Sequence, residues 1–388
     1  MTRTLQNRLK RQKARRQTIF LVLGCSLIIG LVFLVFALTS ERYPDDGGNG
    51  YAQVEGELIE YEPEAEAGSA ETPPLTLGVG GDVTFGLAVA DIIALQGDGY
   101  PWSDVSTLFG DYDLAVVNLE GPLCQGSMPV SDVSALDMRG ETSCAAPMAA
   151  AGIDAVCLAN DHIMDYGSTG LEETLNLLRG EGLETFGAGS SRRAAERSLM
   201  LEADNGASVS LLAFCDVAPT SHSADDDSPG ISTSSLDRMG DVIGLAAEET
   251  PYVVVFLHWG ELGSQEITAR QRELAQACVH AGADLVVGCH PHVVQGIEVI
   301  EGVPVVYSLG NLVYSSESEE GKNGIFVGCR FSAGELATLE IIPLRVAEAK
   351  PYPLPREEAE NLLRELDEAS PAVVLEISPV TGTATLKP

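Results

Sequence analysis

From Leu75 onward, short runs rich in valine, leucine and isoleucine alternate with stretches of helical periodicity. This alternation is typical of a layered α/β fold, in which helices pack on the faces of a sheet. The predicted strands are Leu75–Gly80, Leu114–Asn118, Ala155–Leu158, Ser208–Phe214, Val253–Leu257 and Asp284–Gly288, and the predicted helices are Leu87–Leu95, Ala145–Ala151, Thr169–Gly180 and Thr268–Ala281.

The pattern changes after residue 303, where predicted strands follow one another with glycine turns between them. We therefore expect a mostly parallel sheet to give way to antiparallel strands. We divide this part of the chain into a domain over residues 75–345 and a C-terminal helix and hairpin appendage over residues 346–388. Its predicted elements are the strands Val303–Leu309, Ile325–Phe331 and Glu335–Leu344, the helix Pro355–Glu368, and the hairpin strands Val373–Ile377 and Thr383–Leu386.

The first 38 residues have the pattern of a membrane anchor. Residues 1–17 contain seven basic residues and no acidic one, and Thr18–Leu38 contains no charged residue. A helix of that length spans roughly 30 Å, the thickness of the hydrocarbon core of a bilayer. The positive flank predicts a cytoplasmic tail over 1–17, a transmembrane helix over 18–38 and an extracellular C-terminal domain. A cleaved signal peptide and a lipoprotein signal at Gly24-Cys25 are the alternatives, but the apolar run is long for the first and continues past Cys25.

Residues 39–74 are rich in Asp, Glu, Gly and Pro, which predicts an acidic, disordered stalk. The whole chain has 57 acidic and 23 basic residues. Because seven of the basic ones precede the apolar segment, the remainder is even more acidic than the net charge of −34 indicates. Such a surface argues against nucleic acid as a partner, because polyanions are repelled.

Polar residues follow five of the predicted strands at the point where each strand ends. In α/β sheets, sites assemble beyond the carboxyl ends of strands, so these side chains are expected to share one crevice. Each cluster alone is also what a turn, a helix cap or a core histidine would give. Together they offer mixed histidine and carboxylate donors, which suit Mn, Fe or Zn better than Mg or Ca. The clusters are Gly81-Asp82, Asn118-Leu119-Glu120, Asn160-Asp161-His162, His258-Trp259-Gly260-Glu261 and His290-Pro291-His292.

In sequence order, these motifs resemble those of the bacterial capsule-synthesis family, also called CapA or poly-γ-glutamate synthesis proteins. The resemblance runs from about Leu75 to about Tyr314. It is carried by Gly81-Asp82-Val83, Asn118-Leu119-Glu120, Ala159-Asn160-Asp161-His162-Ile163-Met164-Asp165-Tyr166-Gly167, His258-Trp259-Gly260-Glu261, His290-Pro291-His292-Val293-Val294-Gln295 and Tyr307-Ser308-Leu309-Gly310-Asn311.

The resemblance implies a metallophosphatase-like, four-layer β-sandwich flanked by helices, with a centre of two metal ions. It implies His162 as the catalytic group beside the metals. Thr84 stands where the wider superfamily has a histidine, two positions after Asp82, so one metal would have fewer ligands. The implied metal ligands are Asp82, Glu120, Asp161, His258, His290 and His292, and the implied supporting or substrate-contacting residues are Asn118, Asn160, Asp165, Glu261 and Asn311.

The sequence therefore predicts a membrane-anchored extracellular protein of capsule or poly-γ-glutamate biosynthesis that acts as a metal-dependent hydrolase. Its expected partners are a cell-surface polymer or its precursors, and membrane proteins of capsule synthesis or export. A non-catalytic scaffold or polymer-binding subunit of an export complex is the alternative. Cys124 and Cys144 flank a polar loop, and the sequence leaves open whether they form a disulfide.

Overall fold

The computed structural model describes residues 72–125, 129–130 and 137–388. The predicted anchor Thr18–Leu38 and nearly all of the predicted stalk lie outside these ranges, so both stay predictions. Across the described ranges, no helix combines the length and the apolar character needed to cross a bilayer.

The described residues form eighteen strands and eight α-helices, besides short 3-10 helices. The strands are β1 Leu75–Val83, β2 Leu114–Leu119, β3 Ala155–Cys157, β4 Glu184–Phe186, β5 Ala188–Gly189, β6 Leu199–Glu202, β7 Ser208–Cys215, β8 Gly230–Ile231, β9 Val253–His258, β10 Leu285–Cys289, β11 Ile297–Ile300, β12 Val303–Val306, β13 Asn311–Val313, β14 Asn323–Ser332, β15 Glu335–Ala347, β16 Lys350–Pro353, β17 Glu376–Ile377 and β18 Ala384–Leu386. The helices are α1 Leu87–Gln96, α2 Ser106–Gly110, α3 Ala145–Ala150, α4 Gly167–Gly180, α5 Arg192–Ala195, α6 Leu236–Glu249, α7 Ala269–Ala281 and α8 Arg356–Glu368.

The first sheet has the order β17-β18-β15-β14-β1-β2-β3-β4, with β13 paired to β1 and β16 paired to β15. Strands β1 to β4 are parallel, and β14 and β15 add to β1 in antiparallel fashion. The predicted change from parallel to antiparallel pairing is therefore confirmed. Strand β18 pairs with β15, so the C-terminal hairpin extends this same sheet.

The second sheet has the order β11-β12-β10-β9-β7-β6, with a parallel core from β7 to β12. Strands β7, β9 and β10 end in register, because Cys215 and Cys289 both pair with His258. Every residue of β9 and β10 is buried. Burial of both faces is usual for parallel strands, which are covered on each side.

The two sheets pack against each other, and helices cover their outer faces. The ring of Phe186 on β4 lies 5.3 Å from the ring of Phe256 on β9. On the outer side of the second sheet, α6 and α7 bury Met239, Ile243 and Leu274 against β9. The α/β class is confirmed, and this layering brings the carboxyl ends of both sets of parallel strands together.

Candidate metal centre

The six predicted ligands, which come from five separate segments, meet at the carboxyl ends of the strands. Asp82 lies in β1, Glu120 directly follows β2, and Asp161 lies in the loop after β3. His258 ends β9, and His290 directly follows β10. The two sheets thus contribute to one centre, which has two overlapping groups of donor atoms.

The first group, called here the four-donor group, consists of Glu120, Asp161, His258 and His290. One donor atom from each of them lies within 4.8 Å of the others. Nε2 of His258 is 2.9 Å from Oδ1 of Asp161 and 3.2 Å from Nδ1 of His290. These separations resemble the edges of a coordination shell, since bonds of about 2.1 Å place tetrahedral ligands roughly 3.4 Å apart.

The second group, the three-donor group, consists of Asp82, Glu120 and His292. Nε2 of His292 is 3.3 Å from Oε1 of Glu120, and its Nδ1 is 3.4 Å from Oδ2 of Asp82. Glu120 belongs to both groups. A carboxylate in that position can bridge two cations.

Glu120 shows that the donor set fits a cation. The residue has no exposed surface, and neither carboxylate oxygen makes a hydrogen bond of standard geometry with any described residue. Burying an ionised carboxylate costs several kcal/mol or more unless it faces positive charge or coordinates a metal. In the metal-free chain Nε2 of His292, 3.3 Å from Oε1, is the nearest source of such charge. The shared position of Glu120 therefore fits a site built around positive charge.

The loop after β10 has a strained backbone at both of its histidines. His290 has φ +95° and His292 has φ +56°, the left-handed region that side chains other than glycine rarely adopt. Such strain costs of the order of 1–3 kcal/mol and clusters at functional sites. Oδ2 of Asp82 accepts a hydrogen bond of 3.1 Å from the backbone N–H of His290, which fixes this loop over β1.

Two amide side chains orient the ligands. Nδ2 of Asn118 donates to Oδ1 of Asp82 over 2.8 Å. Oδ1 of Asn311 lies 2.8 Å from Nδ1 of His292, while its Nδ2 donates to backbone carbonyls of His292 and Gly321. The bond to Asn311 holds the proton of His292 on Nδ1 and leaves Nε2 facing Glu120, as a metal ligand requires.

His162 lies beside the four-donor group and is held by Asp165. Its Nδ1 is 2.8 Å from Oδ2 of Asp165, and its Nε2 is 3.7 Å from Oδ2 of Asp161. Burial would lower the pKa of His162, but Asp165, Asp161 and Glu120 outweigh it and raise that pKa to about 9. Nε2 of the ring thus faces Asp161 of the four-donor group, and Asp165 fixes the orientation of the ring.

The charges of the centre shift the pKa values of its ligands in opposite directions. Burial would raise the pKa of Asp161, but contacts with His258 and His290 hold it well below the usual range. Burial would lower the pKa of His292, but Glu120 and Asp82 raise it to about 10. For Glu120, burial is outweighed by His292 and His258, which lower its pKa.

Three other residues singled out from the sequence lie outside the donor groups. The amide of Asn160 bonds within the protein, because Nδ2 donates to the carbonyl of Leu119 and Oδ1 accepts from the N–H of Ile163. Nδ2 also donates to Oδ1 of Asn118, the residue that holds Asp82, over 3.2 Å. Asn160 thus shapes the loop that carries Asp161. Glu261 is exposed. The hydroxyl of Thr84 accepts from the N–H of Gly86, so no histidine completes the three-donor group from this position.

The sequence reasoning missed two residues beside the centre. The ring of Tyr314 lies 4.4 Å from that of His292, and burial together with Glu120 and Asp82 raises its pKa. His222 is buried, and neither ring nitrogen makes a standard hydrogen bond with a described residue. Burial lowers its pKa, which Asp165 and Asp161 partly offset. Tyr314 lies three residues after Asn311, and this closeness to a matched motif could have pointed to it. His222 lies in a polar loop, where no motif marks it.

Cys124 and Cys144, which the sequence left open as a pair, are both buried, and no disulfide joins them. Burial raises the pKa of the Cys144 thiol to about 12.

The fold and the donor set define an α/β protein with a candidate centre for two cations. The sequence profile described as "Bacterial capsule synthesis protein PGA_cap" matches residues 76–316, more than half of the chain. The chain therefore belongs to this family, as its motifs predicted.

Two relatives from Bacillus show how far the similarity extends. "PGA biosynthesis protein CapA" of Bacillus subtilis is 28% identical over 314 residues, which cover 78% of this chain and 83% of that protein. "Capsule biosynthesis protein CapA" of Bacillus anthracis is 29% identical over 291 residues, which cover 73% of this chain and 70% of that protein. The NAD nucleotidase NadN of Haemophilus influenzae aligns structurally with a TM-score of 0.41 at 15% identity, over 76% of this chain and 63% of that one.

Proposed function

We propose that this protein is a metal-dependent hydrolase of capsule or poly-γ-glutamate biosynthesis, of the metallophosphatase type, acting on phosphoester-like bonds at the cell surface. The observation that carries the proposal is Glu120, a buried carboxylate without standard hydrogen bonds that is shared by two groups of metal donors. Histidine and carboxylate donors suit Mn, Fe or Zn. The names of the two Bacillus relatives support the pathway.

Two cations bound in these groups would lower the pKa of an attacking water and neutralise the oxygens of a phosphoester. The four-donor group and the three-donor group would hold one cation each, with Glu120 between them. In such a reaction the water would lose a proton to solvent, a bond would form between its oxygen and phosphorus, and the ester P–O bond would break. Nε2 of His162 gives its proton to the leaving oxygen, and Asp165 holds the ring in position for this transfer.

The cell-surface location is supported by the sequence of the first 38 residues. A basic tail ahead of an uncharged segment favours retention of the N-terminus in the cytoplasm. The centre would then face capsule material and the membrane proteins that make or export it. A reporter fused after Pro388 should be active only outside the cytoplasm; activity inside would contradict this topology.

The hydrolase proposal is tested with the full-length chain. We expect the purified chain to bind two transition-metal ions and to hydrolyse an activated phosphodiester. Chelation should abolish the hydrolysis and added Mn, Fe or Zn should restore it. His290→Gln should lose activity, whereas Glu248→Gln, which changes an exposed acidic residue on α6, should keep it. Full activity of the metal-free chain would contradict the proposal.

The second candidate is a non-catalytic scaffold or polymer-binding subunit. It is favoured by the small number of ligands in the three-donor group. Thr84 stands near this group at the position where a histidine would add a fourth ligand. A strain lacking the protein separates the two candidates. If His290→Gln restores capsule as well as the wild-type chain does, the scaffold is supported; if it does not, the hydrolase is.

A further inference from the structure

A second site lies away from the metal centre, in a cavity of about 330 Å³ beside the short helix α5. Three of the six residues that line it are arginines. We call this cavity the arginine cleft. Its lining consists of Arg192, Arg193, Glu196, Arg197, Asp226 and Val242.

The two carboxylates of the cleft are already paired. Oε1 of Glu196 lies 2.7 Å from Nε of Arg238, and Oδ1 of Asp226 lies 3.2 Å from Nη1 of Arg192. Arg193 and Arg197 form no ion pair with any described residue, and both are exposed. The cleft thus brings together two arginines without a carboxylate partner, in a chain that has 57 acidic residues and 23 basic ones.

What sets Arg193 and Arg197 apart is that they share one cavity: Arg139, Arg179 and Arg330 also form no ion pair with a described residue, but they do not line the cleft. Other arginines are paired. Arg270 bonds to Asp216 and Glu273, and Arg272 bonds to Glu298. Their charge is therefore neutralised within the protein. In the cleft, the guanidinium groups of Arg193 and Arg197 are left to meet an anion from outside.

The strand topology places the cleft on the same side of the sheets as the metal centre. Helix α5 follows the carboxyl end of β4, which is parallel to β3, and the loop after β3 carries Asp161. The N–H of Ser232 donates to the carbonyl of Gly187, and the N–H of Cys215 donates to the carbonyl of Ser232. Since Cys215 pairs with His258, these contacts join the segment that leads into α5 to a strand that ends at the metal centre.

We propose that the arginine cleft binds carboxylate groups of an anionic polymer made of γ-linked glutamate. This inference rests on the proposed role in poly-γ-glutamate biosynthesis and adds a substrate-binding site to it. The planar guanidinium group binds carboxylates through two parallel hydrogen bonds, which an ammonium group cannot do. The cavity of about 330 Å³ has room for one or two side-chain carboxylates of such a polymer.

The acidic character of the protein makes such a site necessary for this ligand. A strongly negative surface repels a polyanion over distances of about a Debye length, roughly 8 Å at physiological salt. Arg193 and Arg197 create a local positive region where contact is favourable. The polymer is thus expected to bind at one place and to be repelled elsewhere.

The test measures binding of a fluorescent γ-glutamate oligomer to the full-length chain by anisotropy. We expect the double variant Arg193→Gln/Arg197→Gln to raise Kd by at least about tenfold, because it removes two charged donors. Both side chains are exposed, so the variant should fold normally. The matched control is Arg356→Gln/Arg364→Gln on α8, which removes the same charge from side chains that pair with Glu360. It should change Kd by less than about twofold.

Three outcomes decide the proposal. An unchanged Kd for Arg193→Gln/Arg197→Gln would overturn it, as would an equal loss in the α8 control. A polyphosphate of matched charge that competes as well as the oligomer would overturn the assignment to carboxylates. The same measurement in a His290→Gln background separates this inference from the hydrolase: the cleft should still bind the oligomer when the metal centre is disabled, whether or not the chain proves to be a hydrolase.

Discussion

The backbone N–H of His290 donates a hydrogen bond to Oδ2 of Asp82, across 208 residues of sequence. Asp82 lies in the first strand of one sheet, and His290 follows the third of the parallel strands in the other. This bond ties the two sheets at the metal centre and holds the strained loop that carries both His290 and His292. The geometry of the donor groups therefore depends on how the two sheets pack.

The shared position of Glu120 predicts how single ligand changes affect the metal content. Glu120→Gln should weaken binding of both ions, because it alters the residue common to the two groups. His290→Gln should affect the ion of the four-donor group, and His292→Gln that of the three-donor group. Elemental analysis after dialysis should give close to one ion for each histidine variant. Loss of both ions from either histidine variant would show that the groups do not bind separately.

The amide of Asn311 should matter for metal affinity although it is not itself a ligand. Asn311→Ala removes the partner of Nδ1 of His292 and frees the ring. Removing such a supporting group typically weakens metal binding by about 10–100-fold. Titration calorimetry should show this loss for the ion of the three-donor group, to which His292 belongs. Asn176→Ala, on the exposed face of α4, is the control and should leave both affinities unchanged.

Metal affinity should rise with pH because the ligand His292 holds a proton in the metal-free chain. Its pKa is raised to about 10 there, since Glu120 and Asp82 outweigh the effect of burial. A cation must displace that proton, so apparent affinity should increase by up to about tenfold per pH unit below that value. Calorimetry in buffers of different ionisation enthalpy should detect release of about one proton; binding without proton release would contradict the assignment.

The same pKa shift predicts how the stability of the metal-free chain varies with pH. The folded-state pKa of His292 lies above its ordinary value of 6.5, so its charged contacts stabilise the fold fully below that pH. Their contribution should be lost as pH rises from about 6.5 towards 10. Denaturant unfolding of the chelated chain should show this decline, and His292→Gln should reduce it.

Removal of the proton donor should slow hydrolysis without loss of metal. His162→Gln is expected to lower kcat by about 10²–10⁴-fold, the usual contribution of a positioned acid or base. Asp165→Asn should give a smaller loss, because Asp165 acts on the proton transfer through Nδ1 of His162. Both variants should retain the wild-type metal content. An ester whose leaving group is very acidic needs no proton from the enzyme. If His162→Gln slows hydrolysis of such an ester as much as that of an ester with a weakly acidic leaving group, His162 does not protonate the leaving oxygen.

Much of the fold could be read from local patterns. Most of the long buried strands and five of the helices were predicted close to their observed bounds, because strand and helix periodicities differ clearly there. Helix α6 was missed, since Gly240 and Gly244 weaken its local helix signal. It forms because Met239 and Ile243 pack on the second sheet, which is a tertiary effect.

The local pattern was enough to name the residue types of the site: carboxylates, amides and histidines at the ends of strands, in the order typical of the PGA_cap family. How these residues combine is visible in the packed fold alone. The fold divides the donors into two groups that share Glu120, ties Asn160 to Asn118 and Leu119, leaves Glu261 exposed, and brings Tyr314 against His292. The physical reason is that donor geometry depends on the packing of two sheets, and residues as far apart as Asp82 and His290 have no local pattern that fixes their separation.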